Sequence, residues 1–155
     1  MKTEKPITEY IAESLQAAIN HITIAAGFHQ TLVAIRRSRI DFRDVTPTDG
    51  HVLIMQVEDE QPGQPLGCAE WIQKYLIACI VLDSDDETTS IEARQAQVRD
   101  DIRKKLMENP DRNGHAIDTI NGPCTPFDDE EGLMGIILET DVHYRTKHDD
   151  PYERI

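Results

Sequence analysis

The chain has 155 residues, 39% hydrophobic and 29% charged, with 16 basic against 29 acidic side chains and a formal net charge of −13. That length fits one domain that buries a core without disulfides or metals, and the apolar residues are clustered enough to exclude a disordered chain. The acidity excludes a surface built to grip duplex DNA, since tight binding neutralises phosphates with Lys and Arg, and taken alone it implies strong solvation.

From Pro6 onward, Ile7, Ile11, Leu15, Ala18, Ile19 and Ile22 recur at helical spacing while Glu9, Glu13, Gln16 and Asn20 take the other face. An amphipathic helix is predicted there, with Pro6 in its first turn and Gly27 as a left-handed cap. Phe28 to Ile40 alternates like a strand, Pro47-Thr-Asp-Gly50 reads as a turn, and His51 to Glu58 reads as a second strand. After a polar loop from Asp59 to Gly67, Cys68 to Leu82 forms a longer strand with Trp71, Tyr75, Ile77, Cys79 and Val81 on one parity. Its end is apolar on both parities, so both faces should be covered.

Thr89 with Glu92 suggests a capping box, and Ile91, Val98, Ile102 and Leu106 form the stripe of a second helix ending at Asn109-Pro110. Gly114 to Gly132, with Pro123, Pro126 and Asp128-Asp-Glu-Glu131, reads mainly as loop. Ala116 to Ile120 reads as a short strand or turn within it. In the last strand Met134, Ile136, Leu138, Val142 and Tyr144 share one parity, and Glu139, Asp141, His143 and Arg145 share the other. The charged, proline-stopped segment beyond it adds no core and is expected to project outward, with Asp150, Pro151 and Tyr152 as an exposed contact tail.

These elements predict a single α+β domain over residues 1–155: two layers, a four-stranded, mainly antiparallel sheet formed as a meander, and two helices packed on one face. Cys68, Cys79 and Cys124 are odd in number and widely spaced, so they read as reduced thiols in a reducing compartment. No apolar leader and no membrane-length run are seen, which predicts a soluble, unsecreted protein.

Reactive constellations are sparse. Asp83-Ser-Asp-Asp-Glu87 gathers carboxylates, but as a calcium loop it has Thr88 where Gly is needed and Arg94 where a bidentate Glu belongs. His21, His29, His51, His115, His143 and His148 are scattered, without the paired spacing of zinc hydrolases, and no phosphate-cradling glycine loop or nucleophile elbow occurs. No catalytic, cofactor-binding or metal-binding residue is therefore assigned. Arg36, Arg37 and Arg39, with Arg43 close by, form the basic cluster of this acidic chain. It reads either as a charged strand end that deters edge pairing or as a subunit contact. In the second case it would meet Asp83, Asp85, Asp86 and Glu87, or Asp128, Asp129, Glu130 and Glu131, of a neighbouring copy.

The order of these elements resembles the tail terminator and related minor tail or neck proteins of long-tailed bacteriophages and prophages. The matching pieces are the first helix running into Ala26-Gly27-Phe28, the strand into Arg36-Arg37, and the aromatic strand Glu70-Trp-Ile-Gln-Lys-Tyr75. The Ile91 to Leu106 helix and the closing Val142-His-Tyr-Arg-Thr146 with Asp150-Pro-Tyr152 complete the resemblance, which spans nearly the whole chain. It implies a non-enzymatic, commonly hexameric ring in the virion, assembled in the bacterial cytoplasm, that caps the tail tube and faces the head connector. An acidic lumen would let DNA pass without adhering. Two rivals remain at this point. One is a metal-dependent nuclease or hydrolase using Asp83, Asp85, Asp86 or Glu87 with the Asp128 to Glu131 carboxylates; the other is an acidic adaptor or DNA mimic for a basic partner.

Overall fold

A computed structural model describes residues 4–41, 49–63, 65–82, 89–128 and 133–155. Helix α1 spans Ile7–Asn20, and a single 3-10 turn follows at Ile24–Ala26. Strand β1 is Val33–Arg36, β2 is His51–Gly63 and β3 is Cys68–Ile80. Helix α2, Ile91–Met107, leads to β4 at Asp118–Asp128, β5 at Met134–Lys147 and β6 at Asp150–Arg154. Strand accounts for 45% and helix for 25% of the described residues, so the sheet is the frame of the molecule.

The predicted four-stranded, mainly antiparallel sheet with two helices packed on one face is not what forms. Among the described residues the sheet has six strands in the order β1-β2-β3-β5-β4, with β6 beside β5, and it is mixed and curled into a half-barrel. Three local causes explain the difference. First, β1 stops at Arg36 and β2 starts at His51, with residues 37–50 between them in the chain, and the two strands lie parallel from Val33↔His51 to Arg36↔Ile54. A parallel pair needs a connection of about a dozen residues, and this one has it; a strand reaching Ile40 would have left only a hairpin loop.

Second, the stretch 118–128, expected mainly as loop, is an edge strand on β5. Pro123 and Pro126 are tolerated because an edge strand has one side without a ladder, and a register shift between Asn121 and Cys124 absorbs the irregularity. Third, the tail is a strand, with Thr146↔Arg154 and Lys147↔Asp150 pairing it to β5. The acidic run in β2 also continues the ladder to Gly63, through register shifts between Gln56 and Asp59 and between Glu60 and Gly63.

One parity of the central strands meets both helices. Ile7, Ile11, Leu15 and Ile19 of α1 and Val98, Ile102 and Leu106 of α2 share a buried cluster with Tyr75, Ile77 and Cys79 of β3 and Ile136, Leu138 and Val142 of β5. On the opposite parity Leu53, Ala78 and Ile80 form a smaller cluster with Ile35, Phe127 and Ile137. Gly135 belongs to this region for a steric reason: a Cβ there would stand 2.1 Å from the Cys79 carbonyl oxygen and 2.7 Å from the Phe127 ring.

The helix ends follow capping chemistry with shifts from the predicted positions. Ser90, one residue after Thr89, caps α2 by accepting the Ala93 N–H at 3.2 Å. Gly27, at φ 94, closes the 3-10 turn, while α1 ends at His21. Arg112, fully buried at φ 49, donates through Nη2 to the Leu106 carbonyl at the end of α2. Burial pulls its pKa to about 10, so it is still cationic at neutral pH, where the negative end of the helix favours it. Cys68 and Cys79 are buried free thiols and Cys124 is half-buried.

Candidate functional site

Strand β1 turns Leu32 and Ala34 into the core, and Arg36 continues that parity past the edge of the hydrophobic cluster. Its guanidinium forms a two-pronged ion pair with Glu9 in the first turn of α1, Nη1 on Oε1 and Nη2 on Oε2, the latter at 3.2 Å. The hydrogen bond to Arg36 holds the Glu9 carboxyl below its usual range and raises the guanidinium's own pKa. Arg37 makes the final rung beyond β1, its N–H donating to the Ile54 carbonyl at 3.0 Å. Its guanidinium donates to the Arg36 carbonyl at 3.1 Å. Arg39 lies 3.5 Å from Asp41.

Where β1 leaves β2, a cleft of about 480 Å³ opens, lined by Arg36, Arg37, Ser38, Ile54, Gln56, Val57 and Tyr75. Ile54 and Tyr75 belong to the helix-side core and are 2% and 0% exposed, so the cleft stops above that core, and Gln56 and Val57 form the accessible part of its floor. The Tyr75 hydroxyl donates to the Thr8 carbonyl at 3.3 Å, and burial pushes the phenol well above its ordinary range, which leaves it a neutral donor. Gln73, buried beside it, donates to the Val57 carbonyl at 2.8 Å and accepts from Gln56 Nε2 at 3.2 Å. This glutamine satisfies the carbonyls that the β2 register shift leaves without a ladder partner. The accessible floor is therefore Val57 and Gln56 over a buried core, and among the described residues Arg37 supplies the uncompensated charge of the rim. Such a surface receives a carboxylate carried on an extended, partly apolar segment.

Arg36, Arg37 and Arg39 thus gather at the β1 edge, with the Arg36 charge compensated within the chain. Asp128 is exposed at the end of β4, opposite Met134. Asp150, Pro151 and Tyr152 lie in β6, where Pro151 and Tyr152 are exposed. Arg43, Asp83, Asp85, Asp86, Glu87, Asp129, Glu130 and Glu131 lie outside the described residues. Among the described residues no three His, Cys, Asp or Glu side chains converge on a metal-sized site, and no helix is long and apolar enough to cross a membrane.

Sequence reasoning missed the cleft's floor and the Glu9 partner of Arg36. The parity of Arg36 with Ala34 was a signal that this arginine faces α1, but the break after Arg37 has no local marker. No protein-family model matches the chain, and no curated protein matches it.

Proposed function

We propose that this chain is a structural virion-assembly protein of a phage or prophage, a ring former that terminates the tail tube and joins it to the head connector. The observation that carries the reading is the placement of Arg36 and Arg37 on the rim of one cleft at one sheet edge, with Arg39 two residues further along the chain, in a protein of net charge −13. Copies this acidic repel one another unless a basic patch meets an acidic surface of the next copy, and a patch on one side only favours head-to-tail contacts that close into rings. The remaining acidity would keep a passing genome from adhering.

Sedimentation of the full chain at rising concentration, alone and with purified tail tubes, tests this reading. Closed rings, in solution or on tube ends, are the expected result. A chain that stays monomeric throughout and leaves tube ends bare would sink it.

A further inference from the structure

Beside the end of β5, the turn His148-Asp149 and strand β6 present a surface of opposite character to the cleft. Asp149, Pro151 and Tyr152 are exposed, the last at 40% of its full area. The projection is held in place at both ends. Lys147 pairs with Glu153 at 3.5 Å, Arg154 donates to the Gly114 carbonyl, and the Tyr152 N–H donates to Asp150 Oδ1 at 2.9 Å. An acidic, apolar and aromatic segment is thus presented in extended form, and little entropy is left to lose when it docks.

The β6 segment pairs with β5, whereas the cleft is lined by residues of β1, β2 and β3 and of the stretch just after β1, so the two patches are distinct. We propose that Asp149–Tyr152 of one copy seats in the cleft of a second copy. The Asp149 carboxylate meets Arg37 at the rim, and Pro151 and Tyr152 pack on Val57 and the Gln56 stem. Arg37 is the suited anchor because its guanidinium contacts a backbone carbonyl and faces no carboxylate among the described residues, whereas Arg36 is already paired with Glu9. Because donor and acceptor patches are made of different residues, the contact is heterologous and repeats around a ring. This inference rests on the assembly reading and names its contact.

The test places a photoreactive benzoylphenylalanine at Ser38 on the cleft rim of the full chain and maps cross-links in assembled material by mass spectrometry. The expected cross-links run between copies to residues 148–153. Arg37→Glu and Asp149→Arg should each weaken assembly roughly tenfold or more without changing circular dichroism or melting, and combining them in one chain should restore it. Rings whose Ser38 cross-links map to another surface or to a tail-tube subunit, or that are indifferent to both charge reversals, overturn the docking contact and leave the assembly reading standing. A chain that never assembles removes both.

Discussion

On the helix side of the sheet, Tyr75, Ile77, Cys79, Leu138 and Val142 are at most 1% exposed, packed under two helices. Along the edges the same sheet is guarded by separate devices. The outer backbone of β1 is satisfied by α1: the Ala34 N–H donates to Asn20 Oδ1 at 2.7 Å, and the Ala34 carbonyl accepts from Gln16 at 3.2 Å. On β4, Pro123 and Pro126 remove donors from the ladder, and on β2 beyond Ile54 the exposed Glu58, Asp59 and Glu60 and two register shifts discourage pairing. The covered face supplies stability, and the edges govern which surfaces remain open to a partner. The cleft opens where the α1 cover of β1 ends and the acidic stretch of β2 has not yet begun.

The largest expected effect tests that division directly. Ile77→Ala on the central strand should cost about 2–5 kcal/mol by urea melting, since it leaves a cavity under both helices. Leu66→Ala, at a fully exposed position in the turn between β2 and β3, should change stability by less than about 0.5 kcal/mol. Comparable losses at the two positions would show that the turn is part of the core and break the comparison.

Next comes Arg112, a charge inside the covered region. Arg112→Ala removes its volume and the donor to the Leu106 carbonyl, and should cost about 2–4 kcal/mol. Arg112→Met refills the space and relieves a guanidinium whose Nε and Nη1 have no hydrogen-bond partner among the described residues, so it should stay within about 1 kcal/mol of the parent chain. Equal losses in the two variants would mean that the charge at the end of α2 matters more than the packing.

The β1 edge is sharpened by Asn20. Asn20→Ala strips the acceptor from the Ala34 N–H at a half-buried site and should cost about 1–2 kcal/mol, with hydrogen exchange at Ala34 accelerated first. Unchanged exchange would show that the α1 amide does not close this edge.

The covered face was the legible part of the fold. The stripe Ile7, Ile11, Leu15, Ile19 and the odd residues of β3 announce their burial by period alone, because a helix or strand with one face in the core must repeat its apolar residues. Edges carry no such period. Pro123 and Pro126 spell loop in any local reading, yet a strand with one side unladdered accommodates them. Asp59 to Gly67 likewise spells a polar loop, yet β2 continues through Asp59 to Gly63. The parallel β1 and β2 pair was illegible because it depends on where β1 stops, and nothing local distinguishes Arg36 from Ser38 as its end. Of the candidate site, the basic cluster could be read from composition. The cleft between its arginines required the fold, because Tyr75 and Gln56 approach Arg36 only through strand pairing.

The smallest effect belongs to the ion pair that links the two regions, Arg36 of the edge with Glu9 of α1. Both side chains are about a third exposed, at 33% and 38%, so solvent screening limits the pair to about 0.2–1 kcal/mol in a double-mutant cycle with Glu9→Gln and Arg36→Met. The sign of its pH dependence follows from the depressed Glu9 pKa. A carboxyl held lower in the folded state contributes above its unfolded value of about 4.3 and loses that contribution as pH falls through the folded value. The coupling energy should therefore be present near about pH 7 and gone near about pH 2, read from urea melts of the four proteins in the cycle. A coupling that persists in acid would mean that the pair is held by packing of the arginine stem on α1. In that case Arg36 would be a wall of the cleft in its own right, and its guanidinium would be open to the same carboxylate ligand as Arg37.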